Sequence, residues 1–169
     1  MKFTSLVISL LLTVSLSSTS SADDCALKHD FGDGSGAVCA RRHLNNDDTL
    51  GGWVADTATV APTAHVERTA VVYGNAKIFQ RVYVKGHSEV YGDARLYDDA
   101  QIMEHAKVFG KSNVYGNARV GGHVSVSGNA YVGCISQIAG GTLIFGTAYF
   151  CTNILNVITT GVYYAGEVK

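Results

Sequence analysis

The chain carries almost no net charge: 13 Lys and Arg stand against 14 Asp and Glu, a formal balance of −1 with histidine neutral. A surface without surplus cations exerts no general pull on nucleic acid or anionic lipid, so neither is expected as a partner. Long apolar runs are equally scarce. The longest, Leu6 to Leu16, is too short to cross a bilayer, and no membrane span is expected. No stripe recurs at 3.6 residues through the repeated region, which excludes a helical frame. No lipidation box precedes Cys25, no face carries the threonine ladder of an ice binder, and no inserted loop breaks the repeat described below. The last absence removes the usual place for an active site and inclines the reading away from an enzyme.

What is present begins with Lys2, the apolar run, and Ser20, Ser21 and Ala22 ahead of Asp23. This pattern reads as a secretory signal over residues 1–22, cleaved after Ala22. The mature chain is then expected to be exported, periplasmic or secreted, with a formal charge of −2 once Lys2 is gone. Its length suits one domain around one core.

From Gly52 to Phe150 a lattice of six residues runs through seventeen hexads without an insertion. A small slot holds Gly52, Ala58, Ala64, Ala70, Ala76 and so on to Ala148, and two residues later an aliphatic slot holds Val54, Val60, Val66, Val72, Ile78 and so on to Phe150. Alternate residues of a strand face the same way, so both slots point inward and the residue between them points out. Each hexad is therefore a short strand plus a corner. Units that bury their apolar face only by stacking on the next unit build a solenoid. Residues 23–51, rich in glycine and acids and without a strand period, are expected as a looped cap over the first coil. Past Cys151 the lattice breaks, because Asn156 would fall in the aliphatic slot; residues 151–169 are expected as a capping strand or hairpin that closes or extends the far end.

Four cysteines in an exported chain suggest two disulfides. Cys25 and Cys39 both lie in the cap. Cys134 and Cys151 are seventeen residues apart, so a coil of eighteen would place them diagonally on neighbouring coils about 4.8 Å apart, within reach of a bridge. Free buried thiols are the alternative.

The segments Tyr73-Gly74-Asn75-Ala76, Tyr91-Gly92-Asp93-Ala94, Tyr115-Gly116-Asn117-Ala118 and Ser127-Gly128-Asn129-Ala130 resemble one another. With the Gly51-Gly52-Trp53-Val54 lead-in, they resemble the hexapeptide-repeat superfamily of left-handed parallel β-helices, and within it the bacterial YdcK-like group. The resemblance covers about 100 residues. It implies an all-β fold with three strands per coil, eighteen residues per turn, about five to six coils and a left-handed wind. The superfamily contains acyltransferases, zinc carbonic anhydrases and structural or binding members, so fold alone does not choose among them.

Folding the chain at eighteen puts equivalent residues in columns. Tyr73, Tyr91, Phe109, Ser127 and Phe145 form one corner column, and Phe79, Tyr97 and Tyr115 another. Such ladders offer a stacking surface for sugar rings or protein side chains, or simply hold neighbouring coils together. His87, His105 and His123 line the third corner, with Glu104 beside the middle one. They are candidates to bind a divalent metal, to act as a catalytic base, or to respond to pH. The alternative is geometric: equivalent corner slots hold Asn75, Asp93, Asp99, Asn117, Asn129 and Gly141, residue types that tolerate positive φ, and histidine belongs to that set. The outward strand positions, Lys77 and Arg95 with Tyr131 and Tyr149 on one face, read as solvated polar surface.

Three functions follow as expectations. The first is a non-enzymatic exported β-helix, a structural, adhesive or ligand-binding module at the bacterial envelope, whose partner is an envelope or host carbohydrate or protein. The second is an acyltransferase with a histidine base at a trimer groove, where a homotrimer would be the working unit. The third, a zinc site of the carbonic-anhydrase kind, suffers because that family's ligands do not follow an even eighteen-residue ladder.

Overall fold

The computed structural model describes residues 25–152, 157–158, 160–164 and 167–168. The secretory signal expected over residues 1–22 lies outside the described residues. The fold is all-β, a parallel β-solenoid of about six turns with 18-residue spacing. No helix occurs among the described residues, so none is long and apolar enough to cross a membrane.

The hexad explains the architecture directly. Most central strands are two residues long, one outward and one inward, as in Lys77–Ile78 and Arg95–Leu96. Arg95 pairs in parallel with Lys77 on one side and Asn113 on the other. Three walls result. The first wall contains strands such as Val71–Val72, Glu89–Val90 and Lys107–Val108. The second runs from Thr59–Val60 through Asn113–Val114 to Tyr149–Thr152 and beyond, and the third begins at His65–Val66 and continues through Gln101–Ile102.

Every aliphatic-slot residue from Val66 to Phe150 is buried, and each lies on its equivalent, as Val72, Val90, Val108 and Val126 do in turn. At three of the four small-slot positions that hold Ser or Thr the buried hydroxyl is satisfied by its own corner, while Ser136 accepts the Thr152 N–H of the next coil at 3.2 Å. Ser88 donates to the Lys85 carbonyl at 2.8 Å, Ser112 to Phe109 at 2.7 Å and Thr142 to Ala139 at 2.9 Å. No buried side-chain nitrogen or oxygen among the described residues lacks a partner.

The stretch expected as a looped cap holds two strands. β1 (Lys28–Asp30) and β2 (Ala37–Leu44) pair antiparallel, and β2 pairs antiparallel with β3 (Leu50–Ala55), the opening strand of the first wall. Few side chains of β2 reach the interior; Ala40 and His43 are its buried ones. A strand laid across the end of a core shows neither hexad nor clean alternation, which hid it in the sequence.

Val66, on the first strand of the third wall, has no earlier coil to pair with, and Asn45 takes that place. Its Nδ2 donates to the Val66 carbonyl at 3.3 Å, and its Oδ1 accepts the Val66 N–H at 2.9 Å. Beside it the buried His43 donates from Nε2 to the Ala64 carbonyl at 2.9 Å, which fixes its tautomer. An open strand edge is thereby closed with side chains.

At the other end the chain adds a further turn. Val157–Ile158, Val162–Tyr164 and Glu167–Val168 pair in parallel with the coil before them. Their partners are 20, 19 and 18 residues away: Gln137 with Val157, Leu143 with Val162, Tyr149 with Glu167. Two extra residues enter and one is given back at each following corner, which is why the hexad could not be followed. Both disulfides form in the expected pairs, Cys25 with Cys39 and Cys134 with Cys151, at Cα separations of 5.7 and 5.1 Å. The second runs diagonally, since Cys134 pairs in register with Thr152 and Gly133 with Cys151. Two disulfides fit an oxidising location.

Candidate functional site

The three corner histidines come together as expected from their spacing. The rings of His87 and His105 stack at 5.3 Å and those of His105 and His123 at 5.0 Å, the latter within 3° of parallel. All three are exposed. The backbone explanation for them does not hold, because positive φ falls one residue earlier, on Gly86, Glu104 and Gly122. The lone pairs of parallel rings lie in their planes and point alongside one another, so three such rings do not converge on one ion at roughly 2.0 to 2.1 Å. Glu104 is turned elsewhere: its carboxylate accepts the Gly122 amide at 2.6 Å. Gln80, Asp98 and Glu67 do the same for the amides of Asp98, Gly116 and Gly86. Among the described residues no group of three or more His, Cys, Asp or Glu is arranged to hold a metal ion.

The first aromatic column is a continuous stack. Phe31 of the cap covers Tyr73 at 4.9 Å, Tyr73 covers Tyr91 at 4.8 Å, and Tyr91 covers Phe109 at 4.8 Å. Tyr73 is buried and its hydroxyl donates to Glu89 at 3.2 Å; burial and that carboxylate raise its pKa well above the phenol range. Rings packed face to face within the column present edges outward, so Tyr73 and Tyr91 have no free face for a sugar. In the second column Phe79 and Tyr97 stack at 5.4 Å. Tyr115 turns onto the next coil, where its ring lies over Gly133. A Cβ at residue 133 would fall inside that ring, so glycine is required there. The Tyr115 hydroxyl donates to that of Tyr149 at 3.1 Å, and burial together with this bond pushes its pKa up to about 12.

A concave surface lies between the first corner and the second wall, at positions that the sequence reads only as corner geometry and solvated faces. A groove of about 770 Å³ is lined by Thr57, Asn75, Lys77, Asp93, Arg95, Lys111, Asn113, Asn129 and Tyr131. Two columns form it. Asn75, Asp93, Lys111 and Asn129 follow one another on the corner, and Lys77, Arg95, Asn113 and Tyr131 are register partners on the wall. Asn75 donates to Asp93 at 3.3 Å. Lys77, Arg95 and Lys111 make no side-chain ion pair or hydrogen bond among the described residues, while Arg41, Arg81 and Lys107 are paired with Asp56, Asp99 and Glu89. At the far end Tyr131 and Tyr149, 44% and 41% exposed, stand 6.3 Å apart between ring centres. The signal for this site was in the sequence as two adjacent columns of unlike polar residues. Each column taken alone looked like corner geometry or solvent surface.

No protein-family model, curated protein or solved structure matches this chain. The parallel solenoid itself is compatible with the β-helix superfamily.

Proposed function

We propose that the protein is an exported, non-enzymatic binding module at the bacterial envelope, and that its working surface is the second-wall groove. The observation that carries this reading is the continuity of the groove across successive coils, with amides and unpaired cations directed into it. Such a surface suits an extended polar ligand, an envelope or host carbohydrate above all, lying along the solenoid axis. The histidine corner supports the same reading from the other side. A catalytic base is normally oriented by a third group, and the exposed rings of His87, His105 and His123 have no hydrogen-bond partner among the described residues. Membership in the YdcK-like group and a left-handed wind belong to this proposal too, carried by the Tyr-Gly-Asn/Asp-Ala repeats and the Gly51-Gly52-Trp53-Val54 lead-in.

The test is residue-resolved NMR titration of the mature protein with a panel of soluble glycans. Shifts gathered along Asn75, Arg95, Asn113 and Tyr131 are expected. Shifts gathered instead on the histidine corner would overturn the reading, as would turnover of acyl-CoA or hydration of carbon dioxide at enzyme-like rates.

A further inference from the structure

The three cations of the groove lie on three successive coils, Lys77 and Arg95 on the wall and Lys111 on the corner. One carboxylate, Asp93, stands among them, and it is engaged by Asn75. The groove therefore has a net positive lining on a molecule of slightly negative total charge. Coils stack about 4.8 Å apart, so the lining from Thr57 to Asn129 rises through four steps and spans about 19 Å. Equivalent positions recur once per coil, each carrying a different polar side chain.

From this we infer that the ligand is an extended, carboxylate-bearing polysaccharide of the ribbon type, bound along the axis with about one sugar per coil. The inference rests on the groove being the working surface and adds the chemical class of its occupant. An extended pyranose chain advances by close to one coil height per sugar, whereas an extended peptide advances about 3.3 Å per residue and drifts out of step. The groove also runs across the strands, so a peptide cannot add to the sheet edge along it. Amides of Asn75, Asn113 and Asn129 carry both donors and acceptors, which matches sugar hydroxyls, with one donor hydrogen of Asn75 and of Asn113 engaged by Asp93 and the Lys111 carbonyl. The cations take the carboxylates, Arg95 with a planar fork suited to them. Tyr131 ends the groove with an exposed ring against which a sugar's C–H face packs. Three cations interrupted by Asp93 are too sparse for a nucleic-acid backbone, which carries one charge per about 1.7 Å of duplex axis.

The experiment is calorimetric titration of the mature protein with β-1,4-linked oligomannuronates of increasing length, with neutral mannose oligomers of the same linkage and polyglutamate as comparators. Affinity for the uronates is expected to rise with length and level off near four to five sugars, the length of the lining. Lys77→Ala and Arg95→Ala should each weaken uronate binding by about tenfold, and Asp93→Asn should strengthen it. These side chains are exposed, so the variants fold. Neutral oligomers binding as tightly as uronates, indifference to Lys77→Ala and Arg95→Ala, failure of the uronates to bind, or equal binding of polyglutamate would each overturn the inference. Equal binding of neutral oligomers with shifts still confined to the groove would overturn only the acidic class. Binding of any glycan with shifts elsewhere would overturn the groove itself.

Discussion

Between Lys77 and Gln137 every wall strand lies on an equivalent eighteen residues away, whereas the cap ahead of Leu50 and the turn past Thr152 follow other offsets. In the central coils stability is close to a sum of like interfaces, each Val or Ile resting on another. At the ends no neighbour repeats the arrangement, so single side chains do what whole strands do elsewhere: Asn45 pairs with Val66, His43 with Ala64, and Tyr163 meets Phe150 edge-on at 4.8 Å. The centre is held by repeated burial of like side chains, and the ends by a few particular polar and aromatic contacts.

The two regions differ most in their response to core truncation. Leu96→Ala removes a fully buried side chain from the centre and should cost about 2 to 5 kcal/mol in denaturant unfolding. Leu44→Ala in the cap, 59% exposed, should stay within about 0.5 kcal/mol. Equal losses would mean the two regions are not energetically distinct. Next comes the Cys134–Cys151 bridge, which pins the last regular pair of coils where the register changes. Replacing both cysteines by serine should cost about 3 kcal/mol, and hydrogen exchange should speed up first in the turn past Thr152. Uniform acceleration through the central coils would contradict the division. Smaller again is Gly133→Ala, expected to cost about 1 to 3 kcal/mol because Tyr115 must move. In a Tyr115→Ala background that cost should largely vanish, as a double-mutant cycle would register.

The smallest effect concerns protons on the cap. Burial lowers the pKa of His43, and burial followed by the charge of Arg42 lowers that of His29. The unfolded chain takes up these protons near the ordinary value of 6.5, before the folded chain does. Their contribution to stability is therefore complete above that pH and declines as pH falls below it. His43→Gln should flatten the decline between ~pH 7 and ~pH 5 in thermal melts; an unchanged slope would remove His43 as its source.

How much could be read from the sequence follows the same division. The walls were legible because a parallel in-register stack writes its period into every residue, down to the diagonal placement of Cys134 and Cys151. The histidine stack was legible as well from its even spacing, although positive φ at those corners belongs to the preceding residue. The strands β1 and β2 were not legible, since antiparallel crossing of a core end leaves no period. Nor was the role of Asn45, because an amide that satisfies a strand edge looks in sequence like any turn asparagine. The groove lay between these cases: its residues were all in view, but concavity and the absence of ion pairs are properties of three dimensions.

Asn45 has a consequence for assembly. A stack of parallel coils has no natural last member, because the open edge of each coil is a template for another, from the same chain or from a neighbour. On the third wall that template is occupied by one side-chain amide, and on the first wall β2 arrives in the opposite sense. A second molecule offering its own final coil finds no matching ladder on either. Asn45 thus acts as a chain terminator in the polymer sense, closing on the third wall an edge at which another coil would otherwise add.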